Sequence, residues 1–278
     1  MLFLLLAILS SATISILMRI SSNRISANFS MLAVNYLVCA MLGAAYAGFA
    51  PVAPEQPGFS VAVWLGIISG ALYLGGFVLF QRNTAKNGIV LSSVFMKLGL
   101  LVPVFMSMVL FREAPTANQI LGFCIAVFAI VLINLKKESS DKSFGWGLIL
   151  MLLMCGGSDA MSKVYERMGS AALSDSYLFF TFAVAFVLCL VPVLYKKEKP
   201  GFRELLFGTL IGIPNFFSAK FLLGALTKLP AVVVYPSFSV ATLLIVTLTG
   251  IAVFRERLNR LQWVALAAIV AALIFLNV

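Results

Sequence analysis

Four charged side chains lie inside long apolar runs of this 278-residue sequence and are the first candidates for chemistry: Lys97, Asp159, Lys163 and Lys220. A charged group inside a lipid-crossing span costs about 2.5–3.5 kcal/mol even on a lenient scale, so such groups usually mark a substrate path or a gate. Asp159 is the only acid clearly inside a run, which makes it a candidate partner for Lys97. Asp159 and Lys163 can also pair along one helix face, and Lys220 can extend its apolar stem toward a membrane surface.

The segment GTLIGIPNFFSAK at residues 208–220 carries a second signal. Pro214 removes a backbone donor and frees a carbonyl group inside the run. Membrane carriers expose backbone groups to substrate where a helix breaks at mid-membrane. The segment therefore predicts a broken helix whose polar residues, Asn215 and Ser218, line a cavity. A simple kink with no ligand is the alternative. Pro103 in the fourth run and Pro236 in the ninth are weaker instances of the same pattern.

Three uncharged residues complete the candidate substrate-binding set. Ser11 and Ser15 share one helix face, although small hydroxyl residues also serve close helix packing. Tyr73 and Tyr235 can form aromatic walls of a cavity, or they can pack in the core. The candidate set is Lys97, Lys220, Asn215, Ser218, Tyr73, Tyr235, Ser11 and Asp159.

Several chemistries are disfavoured by what the sequence lacks. There is no histidine, and the four cysteines lie in apolar runs with no metal-ligand spacing such as C-x-x-C. We interpret these cysteines as small buried hydrophobic residues. The sequence has no G-x-x-x-x-G-K-[ST] phosphate loop, and no cluster of catalytic carboxylates at one membrane face. The sequence therefore predicts no metal, no cofactor and no enzymatic activity.

The apolar runs of the sequence predict helices that place the candidate residues inside a membrane. Hydrophobic residues make up 62% of the chain and charged residues 11%, whereas a soluble domain is about half apolar and about a quarter charged. The surrounding solvent must therefore be largely lipid. About 20 apolar residues cross a bilayer as a helix, and continuous runs argue against a barrel. The predicted spans are Leu2–Met18, Met31–Ala50, Val61–Phe80, Ile89–Phe111, Asn118–Leu135, Phe144–Val164, Tyr177–Tyr195, Leu205–Thr227, Ala231–Phe254 and Leu261–Leu276.

An internal repeat relates the two halves of the chain. With a shift of 143 residues, the FRE segment at 111–113 falls on the FRE segment at 254–256, and Gln119 falls on Gln262. Seven of the 24 positions from 111 to 134 are identical to their counterparts. Matches between polar residues are harder to obtain by chance than matches between apolar ones, so we interpret the similarity as a repeat.

The repeat determines the predicted architecture. Further upstream a shift of 142 places Gly66 on Gly208, so each half holds five helices. Because five is odd, the second copy enters the membrane from the opposite side, as in the inverted repeats of transporters. We predict an all-α membrane protein with ten transmembrane helices in two inverted five-helix repeats. The predicted repeats cover residues 1–135 and 144–278, with a linker loop at 136–143.

The repeat unit resembles that of a known family. A glutamate stands just before helix 5 (Glu113) and another just before helix 10 (Glu256), followed by Gln119 and Gln262. Together with the stretch 222–277, these features resemble the EamA family of the drug/metabolite transporter superfamily. Each glutamate lies where a carboxylate stabilises a helix N-terminus, and we assign both a structural role.

The resemblance implies a membrane carrier for small metabolites that works by alternating access. It also implies a cavity lined by helices 1, 3, 4, 6, 8 and 9. The in-span charge, three lysines against one aspartate, favours a substrate with a carboxylate or phosphate group. We therefore predict a secondary transporter of a small polar metabolite, anionic or zwitterionic. The alternative is an exporter of neutral or amphipathic compounds in which the in-span lysines are structural.

The expected partners are a small-molecule substrate and the lipid bilayer. The net charge of +10 would indicate nucleic acid in a soluble protein, but here the basic residues lie mostly between apolar runs, so no nucleic acid is expected. The protein itself is expected to be a monomer or a homodimer.

The basic residues also predict an orientation. Connections after odd-numbered helices hold 14 of them, and connections after even-numbered helices hold three. Basic loops remain in the cytosol. This bias places both chain ends outside the cytosol of a bacterial-type plasma membrane.

A C-terminal fusion tests this orientation. A reporter that is active only in the cytosol should stay silent at the C-terminus, because the charge bias places that end outside. The measurement is reporter activity in intact cells, with a fusion in the basic connection between helices 7 and 8 as the positive control. An active C-terminal reporter would contradict the charge argument.

Overall fold

The computed structural model describes residues 1–21, 24–25, 27–52, 54–87, 89–134, 146–253 and 260–277. The described part is helical throughout and contains no strand. A short 3-10 turn at Ala171–Leu173 precedes the eighth helix. The helices are α1 (Leu2–Ser21), α2 (Asn28–Tyr46), α3 (Phe59–Asn87), α4 (Ile89–Leu98), α5 (Leu101–Leu110), α6 (Ala117–Asn134), α7 (Trp146–Met168), α8 (Ser174–Tyr195), α9 (Phe202–Leu226), α10 (Ala231–Ala252) and α11 (Arg260–Asn277).

These helices confirm the predicted all-α membrane fold. Among the described residues, eight helices are long and apolar enough to cross a membrane, and two shorter apolar segments, Phe95–Leu110 and Ala117–Leu132, accompany them. Each of the ten predicted spans coincides with a helix or, in one case, with a pair of helices. Most boundaries lie within about four residues of the prediction, while α3 extends seven residues further, to Asn87.

The fourth predicted span is interrupted. It forms α4 and α5, which are separated by Gly99 and Leu100. In the turn, the Gly99 N–H donates to the Met96 carbonyl at 3.2 Å, and the Leu100 N–H donates to the Lys97 carbonyl at 3.4 Å. Pro103 explains the interruption, because it has no N–H to offer the Gly99 carbonyl and its ring crowds that carbonyl.

The break predicted in the eighth span is wrong. Helix α9 continues from Phe202 to Leu226 through Pro214. It packs along both α1 and α2, and this packing keeps the helix continuous past the proline. Of the two weaker cases, Pro103 accompanies the interruption between α4 and α5, whereas α10 continues from Ala231 to Ala252 through Pro236, so a break at Pro236 is wrong.

The described chain forms two compact units, and each takes helices from both halves of the sequence. Unit 1 comprises Met1–Leu74 and Met161–Thr227, and unit 2 comprises Gly75–Ala160 and Lys228–Val278. Unit 1 contains α1, α2, α8 and α9, unit 2 contains α4, α5, α6, α10 and α11, and α3 and α7 contribute a segment to each. The compact units therefore do not coincide with the predicted repeats, and the division into repeats stays a prediction.

In unit 1, Gly208 brings the backbone of α9 against α2. A Cβ atom at Gly208 would lie 2.7 Å from the Met31 carbonyl oxygen and 2.7 Å from the Val34 Cβ. Both distances are too short for a real Cβ, so only glycine permits this approach.

The same contact occurs a second time in unit 1, between α3 and α8. A Cβ atom at Gly66 would lie 3.1 Å from the Tyr177 carbonyl oxygen and 2.6 Å from the Phe180 Cβ. The two partner residues lie three positions apart, as Met31 and Val34 do, and both pairs are related by a shift of 146 residues (177 − 31 and 180 − 34). The glycines that the sequence aligns therefore make equivalent contacts.

In unit 2, α6 packs closely along α11. A Cβ atom at Gly122 would lie 2.9 Å from the Leu276 N and 3.0 Å from the Phe275 Cβ. These helices correspond to predicted helices 5 and 10, which are predicted repeat partners. In unit 1, α2 and α8 correspond to predicted helices 2 and 7 and also pack together.

Alanine substitution tests the close helix contacts. Gly208→Ala and Gly66→Ala should each lower the free energy of unfolding by about 1–3 kcal/mol, because the new methyl group overpacks against backbone atoms. Gly224→Ala on α9 is the matched control, since its Cβ would meet only the Phe3 ring, at 3.3 Å or more. Melting in detergent is the measurement. Equal stability of all three variants would show that these contacts relax freely.

Candidate functional site

A group of polar side chains lies near the middle of three helices of unit 1. Asn215 on α9 donates from Nδ2 to Oδ1 of Asn35 on α2 at 3.2 Å. The Tyr73 hydroxyl on α3 donates to Oδ1 of Asn215 at 3.4 Å. The Cys39 thiol, one turn beyond Asn35, donates to the Gly212 carbonyl at 3.2 Å. We call Asn35, Cys39, Tyr73 and Asn215 the amide cluster.

Helix packing determines why these side chains meet. A Cβ atom at Gly212 would lie 2.9 Å from the Asn35 carbonyl oxygen, so α9 approaches the backbone of α2 closely at this level. Asn215 lies one turn further along α9 and reaches across the contact. Tyr73 is fixed edge-on against Tyr36 of α2, with ring centroids 6.0 Å apart. Gly212 lies in the segment where a broken helix was predicted, and it permits this close packing.

The amide cluster offers neutral donors and acceptors in an apolar setting. Asn35 is 2% exposed and Asn215 is 8% exposed. An amide carries two donor hydrogens and an acceptor oxygen, so the pair can hold a polar group of either hydrogen-bonding type. The sequence identified Asn215 and Tyr73 as candidates but missed Asn35 and Cys39. Asn35 was detectable as an uncharged polar residue within the second apolar run.

Lys220 lies apart from the amide cluster in unit 1. Its ammonium pairs with the Asp175 carboxylate on α8 at 2.5 Å. It also lies 3.9 Å from the centroid of the Tyr46 ring on α2 and 5.9 Å from that of Phe216. The sequence missed Asp175, because this acid stands two residues before the predicted start of helix 7.

The remaining unit 1 candidates contact helix backbones or other side chains. The Ser218 hydroxyl donates to the Ala7 carbonyl on α1 at 3.4 Å, which joins α9 to α1. Ser11 is half-buried on α1, and its carbonyl accepts from the Ser15 hydroxyl at 3.0 Å. Lys163 pairs with Glu166 at 2.7 Å, three residues further along α7.

Unit 2 holds the other charged candidates. Lys97 is the penultimate residue of α4, immediately before the interruption. It interacts electrostatically with Asp159 on α7, although no direct ion pair joins them within the described part of the chain. The Tyr235 hydroxyl on α10 donates to the Asp159 carbonyl at 2.7 Å. Lys97, Asp159 and Tyr235 therefore belong to one neighbourhood of unit 2.

The glutamate that carries the family resemblance stabilises a different helix from the one it precedes. Glu113 was expected to stabilise the N-terminus of helix 5, which is α6. Its carboxylate instead accepts from the Ala231 N–H at the start of α10 at 2.9 Å. At the start of α6, Thr116 and Gln119 form a reciprocal capping box, with bonds of 3.1 and 3.2 Å. Glu256 lies outside the described residues.

The other polar groups do not form a metal site. Within the described ranges, no group of three or more histidine, cysteine, aspartate or glutamate side chains is placed to hold an ion. Cys39 and Cys189 are buried as predicted, whereas Cys124 is exposed and Cys155 is half-buried. The interpretation of all four cysteines as buried was therefore wrong for Cys124, because an apolar run does not indicate which face of its helix packs inward.

Comparison with known proteins finds a family that resembles the first part of the chain, and relatives that cover most of its length. Residues 1–135 match the EamA-like transporter family, which confirms the resemblance inferred from the sequence. The chain is 22% identical over 277 residues to an uncharacterized protein of Haemophilus influenzae (strain ATCC 51907 / DSM 11121 / KW20 / Rd), with 95% of this chain and 93% of that protein covered. A crystal structure matches with a TM-score of 0.74 and 18% identity over 99% of this chain and 94% of its own, which shows the fold.

A double-mutant cycle tests the role of the Lys220 ion pair. Lys220→Met alone should lower the melting temperature, because it leaves the Asp175 carboxylate without its partner. Adding Asp175→Asn should recover part of the loss, with a coupling free energy of about 0.5–3 kcal/mol. Lys199→Met combined with Asp175→Asn is the control and should be additive. Additivity in the Lys220 cycle would show that the pair contributes nothing to stability.

Proposed function

We propose that this protein, whose first 135 residues match the EamA-like transporter family, is a secondary carrier of a small polar metabolite. The family match indicates a membrane transporter of the drug/metabolite type rather than an enzyme. We propose further that the substrate is anionic or zwitterionic and crosses by alternating access. The observation that carries the proposal is the amide cluster near the middle of three spans of unit 1.

Buried amides are costly in a protein that only needs to pack its helices. A polar group removed from water without full hydrogen bonding destabilises the folded state, and polar residues inside spans mark substrate paths. The amide cluster retains bonding capacity, because the Asn35 Nδ2 donates no hydrogen bond to any described residue. A carboxylate, carbonyl or hydroxyl group of a substrate would use that donor. The amide cluster supports binding of a polar molecule without fixing its charge.

The interruption between α4 and α5 supports recognition of charge in unit 2. Lys97 lies in the last turn of α4, beside the turn at Gly99. Helices that break within the membrane expose backbone groups to substrates and ions. A lysine ammonium is a compact point charge, and here it lies within the electrostatic influence of Asp159. An anionic substrate group near Lys97 would compete with Asp159 for the same charge.

The equivalent glycine contacts support alternating access. Gly66 and Gly208 make matching contacts with α8 and α2 in unit 1. In inverted-repeat carriers the two repeats change the access of a central site from one membrane face to the other. The recurrence of the contacts favours a common ancestral repeat, and the inversion remains part of the proposal.

An exporter of neutral or amphipathic compounds remains the alternative function. Lys163 and Lys220 each have an acidic partner, which offsets the excess of positive in-span charge. Unit 2 also has an apolar groove of about 470 Å³ along α5 and Leu153 of α7. These features favour apolar substrates. A binding screen that includes apolar compounds discriminates an exporter of such compounds from a carrier of polar metabolites.

The screen measures melting of the purified protein with amino acids, sugar phosphates, nucleotide sugars and neutral amphipathic compounds. A ligand that binds the folded state raises the melting temperature by mass action. Compounds that stabilise the protein are then tested for uptake into proteoliposomes. Stabilisation and uptake of polar anions or zwitterions would support the first proposal. Stabilisation by amphipathic compounds alone would favour the alternative.

Substitution of Lys97 tests the proposal that this residue recognises the charge of the substrate. Lys97→Met should reduce transport sharply, by about tenfold or more, because it removes the charge and retains much of the apolar stem. Expression and melting temperature should hold. Lys86→Met, in the last turn of α3, is the matched control and should transport normally.

Two outcomes would contradict this role of Lys97. One is normal transport by Lys97→Met. The other is a loss of stability in Lys97→Met that Asp159→Asn restores, since this would identify a structural charge pair between α4 and α7.

A further inference from the structure

We propose that one end of unit 1 binds the headgroups of anionic phospholipids. Six basic side chains are exposed there, at the end of α1, in the connection to α2, in the connection between α8 and α9, and at the start of α9. We call this group the basic rim. Its members are Arg19, Arg24, Lys196, Lys197, Lys199 and Arg203. The proposal concerns lipid binding and is independent of the transported substrate.

Contacts hold two parts of the basic rim together. The Arg203 guanidinium donates to the Arg24 carbonyl at 3.4 Å. The Lys196 ammonium lies 4.4 Å from the centroid of the Phe29 ring at the start of α2. The connection at residues 196–201 and the start of α9 therefore lie against the segment that leads into α2, which brings the basic residues of both segments to the same end of unit 1.

Two acids close to the basic rim in sequence bond to backbone N–H groups. Glu198 accepts from the Ser30 N–H at 2.9 Å. Glu204 accepts from the Ala27 N–H at 3.4 Å and from the Gly201 N–H at 3.1 Å. Both carboxylates thus stabilise helix N-termini, where the dipole favours a negative charge.

The lysines of the connection are left without acidic partners. Lys197 and Lys199 are exposed, and neither forms an ion pair with another described residue. The connection carries a surface positive charge that its own acids do not neutralise. An external anion is the complementary partner.

Flanking aromatic residues place the basic rim at the level of lipid headgroups. Tyr195 ends α8 and is 88% exposed, and Phe202 begins α9 and is 78% exposed. Aromatic residues at the ends of membrane spans lie at the interface between hydrocarbon and water. The basic residues between them therefore lie where phospholipid phosphates lie, and basic clusters next to a span attract anionic lipids.

The predicted repeat indicates that the scaffold does not require this charge. The connection between α2 and α3, at residues 47–58, is the counterpart of the connection between α8 and α9. It contains no basic residue and one acid, Glu55. The two connections join equivalent helices, so the basic rim is an addition to the fold.

Lipid titration of the full chain in detergent tests the proposal. Dioleoyl-phosphatidylglycerol should raise the melting temperature, and dioleoyl-phosphatidylcholine should not. The triple variant Lys197→Gln, Lys199→Gln, Arg203→Gln should bind phosphatidylglycerol at least about tenfold more weakly, because each basic residue near an anionic surface strengthens binding. The effect in the wild type should fall as salt is raised.

Two further variants isolate the cause. The first is a control triple variant, Arg112→Gln, Arg167→Gln, Lys228→Gln. It removes the same charge from connections after the even-numbered predicted spans, and it should bind phosphatidylglycerol as the wild type does. The second is the conservative triple variant Lys197→Arg, Lys199→Arg, Arg203→Lys, which changes the same positions but retains the charge. It should bind phosphatidylglycerol normally, so that weaker binding by the Gln variant can be attributed to loss of charge and not to misfolding.

Three results would overturn the proposal. Undiminished binding by the Gln triple variant would exclude the basic rim. Equal loss in the control triple variant would indicate a general charge effect. Equal stabilisation by sodium phosphate at matched ionic strength would identify a site for free phosphate in place of a lipid headgroup.

Discussion

Lipid offers no hydrogen-bond partners, so every polar group inside the membrane must be satisfied within the protein. This constraint explains the positions of the polar residues in both units. Asn35 and Asn215 bond to each other across α2 and α9, and the Tyr235 hydroxyl bonds to the Asp159 backbone. Lys220 lies beside a carboxylate on a neighbouring helix. By the same constraint, a buried donor or acceptor without a hydrogen-bond partner destabilises the folded state unless a ligand bonds to it. An unused donor inside the membrane therefore indicates a binding site.

These polar contacts form because the helices that carry them approach each other closely. Gly212 permits the backbones of α9 and α2 to meet at the level of Asn35, and short polar side chains then reach across. Small residues at helix interfaces are the usual means of association in membranes. Glycine therefore links the packing to the site, since a larger residue at Gly212 would separate the helices that carry Asn35 and Asn215.

Hydropathy was sufficient to predict the spans, because length and apolar composition determine whether a segment crosses lipid. It could not predict which proline interrupts its helix. Pro214 lies in a helix held by α1 and α2, while Pro103 accompanies an interruption. That difference depends on tertiary packing. The acidic partner of Lys220 was also missed, because Asp175 lies at a helix end outside the apolar run. Glu113 was assigned to the wrong helix, because a cap can come from a residue distant in sequence.

The central claim is that the amide cluster lies on a path that opens to each membrane face in turn. The most direct measurement uses a protein without its four native cysteines and with Asn215→Cys as the single thiol, treated with a membrane-impermeant thiol reagent. We predict labelling from either face in right-side-out and inverted vesicles, with a substrate changing the two rates in opposite directions. Absence of labelling from both faces in folded protein would show a sealed, dry centre and would contradict the account.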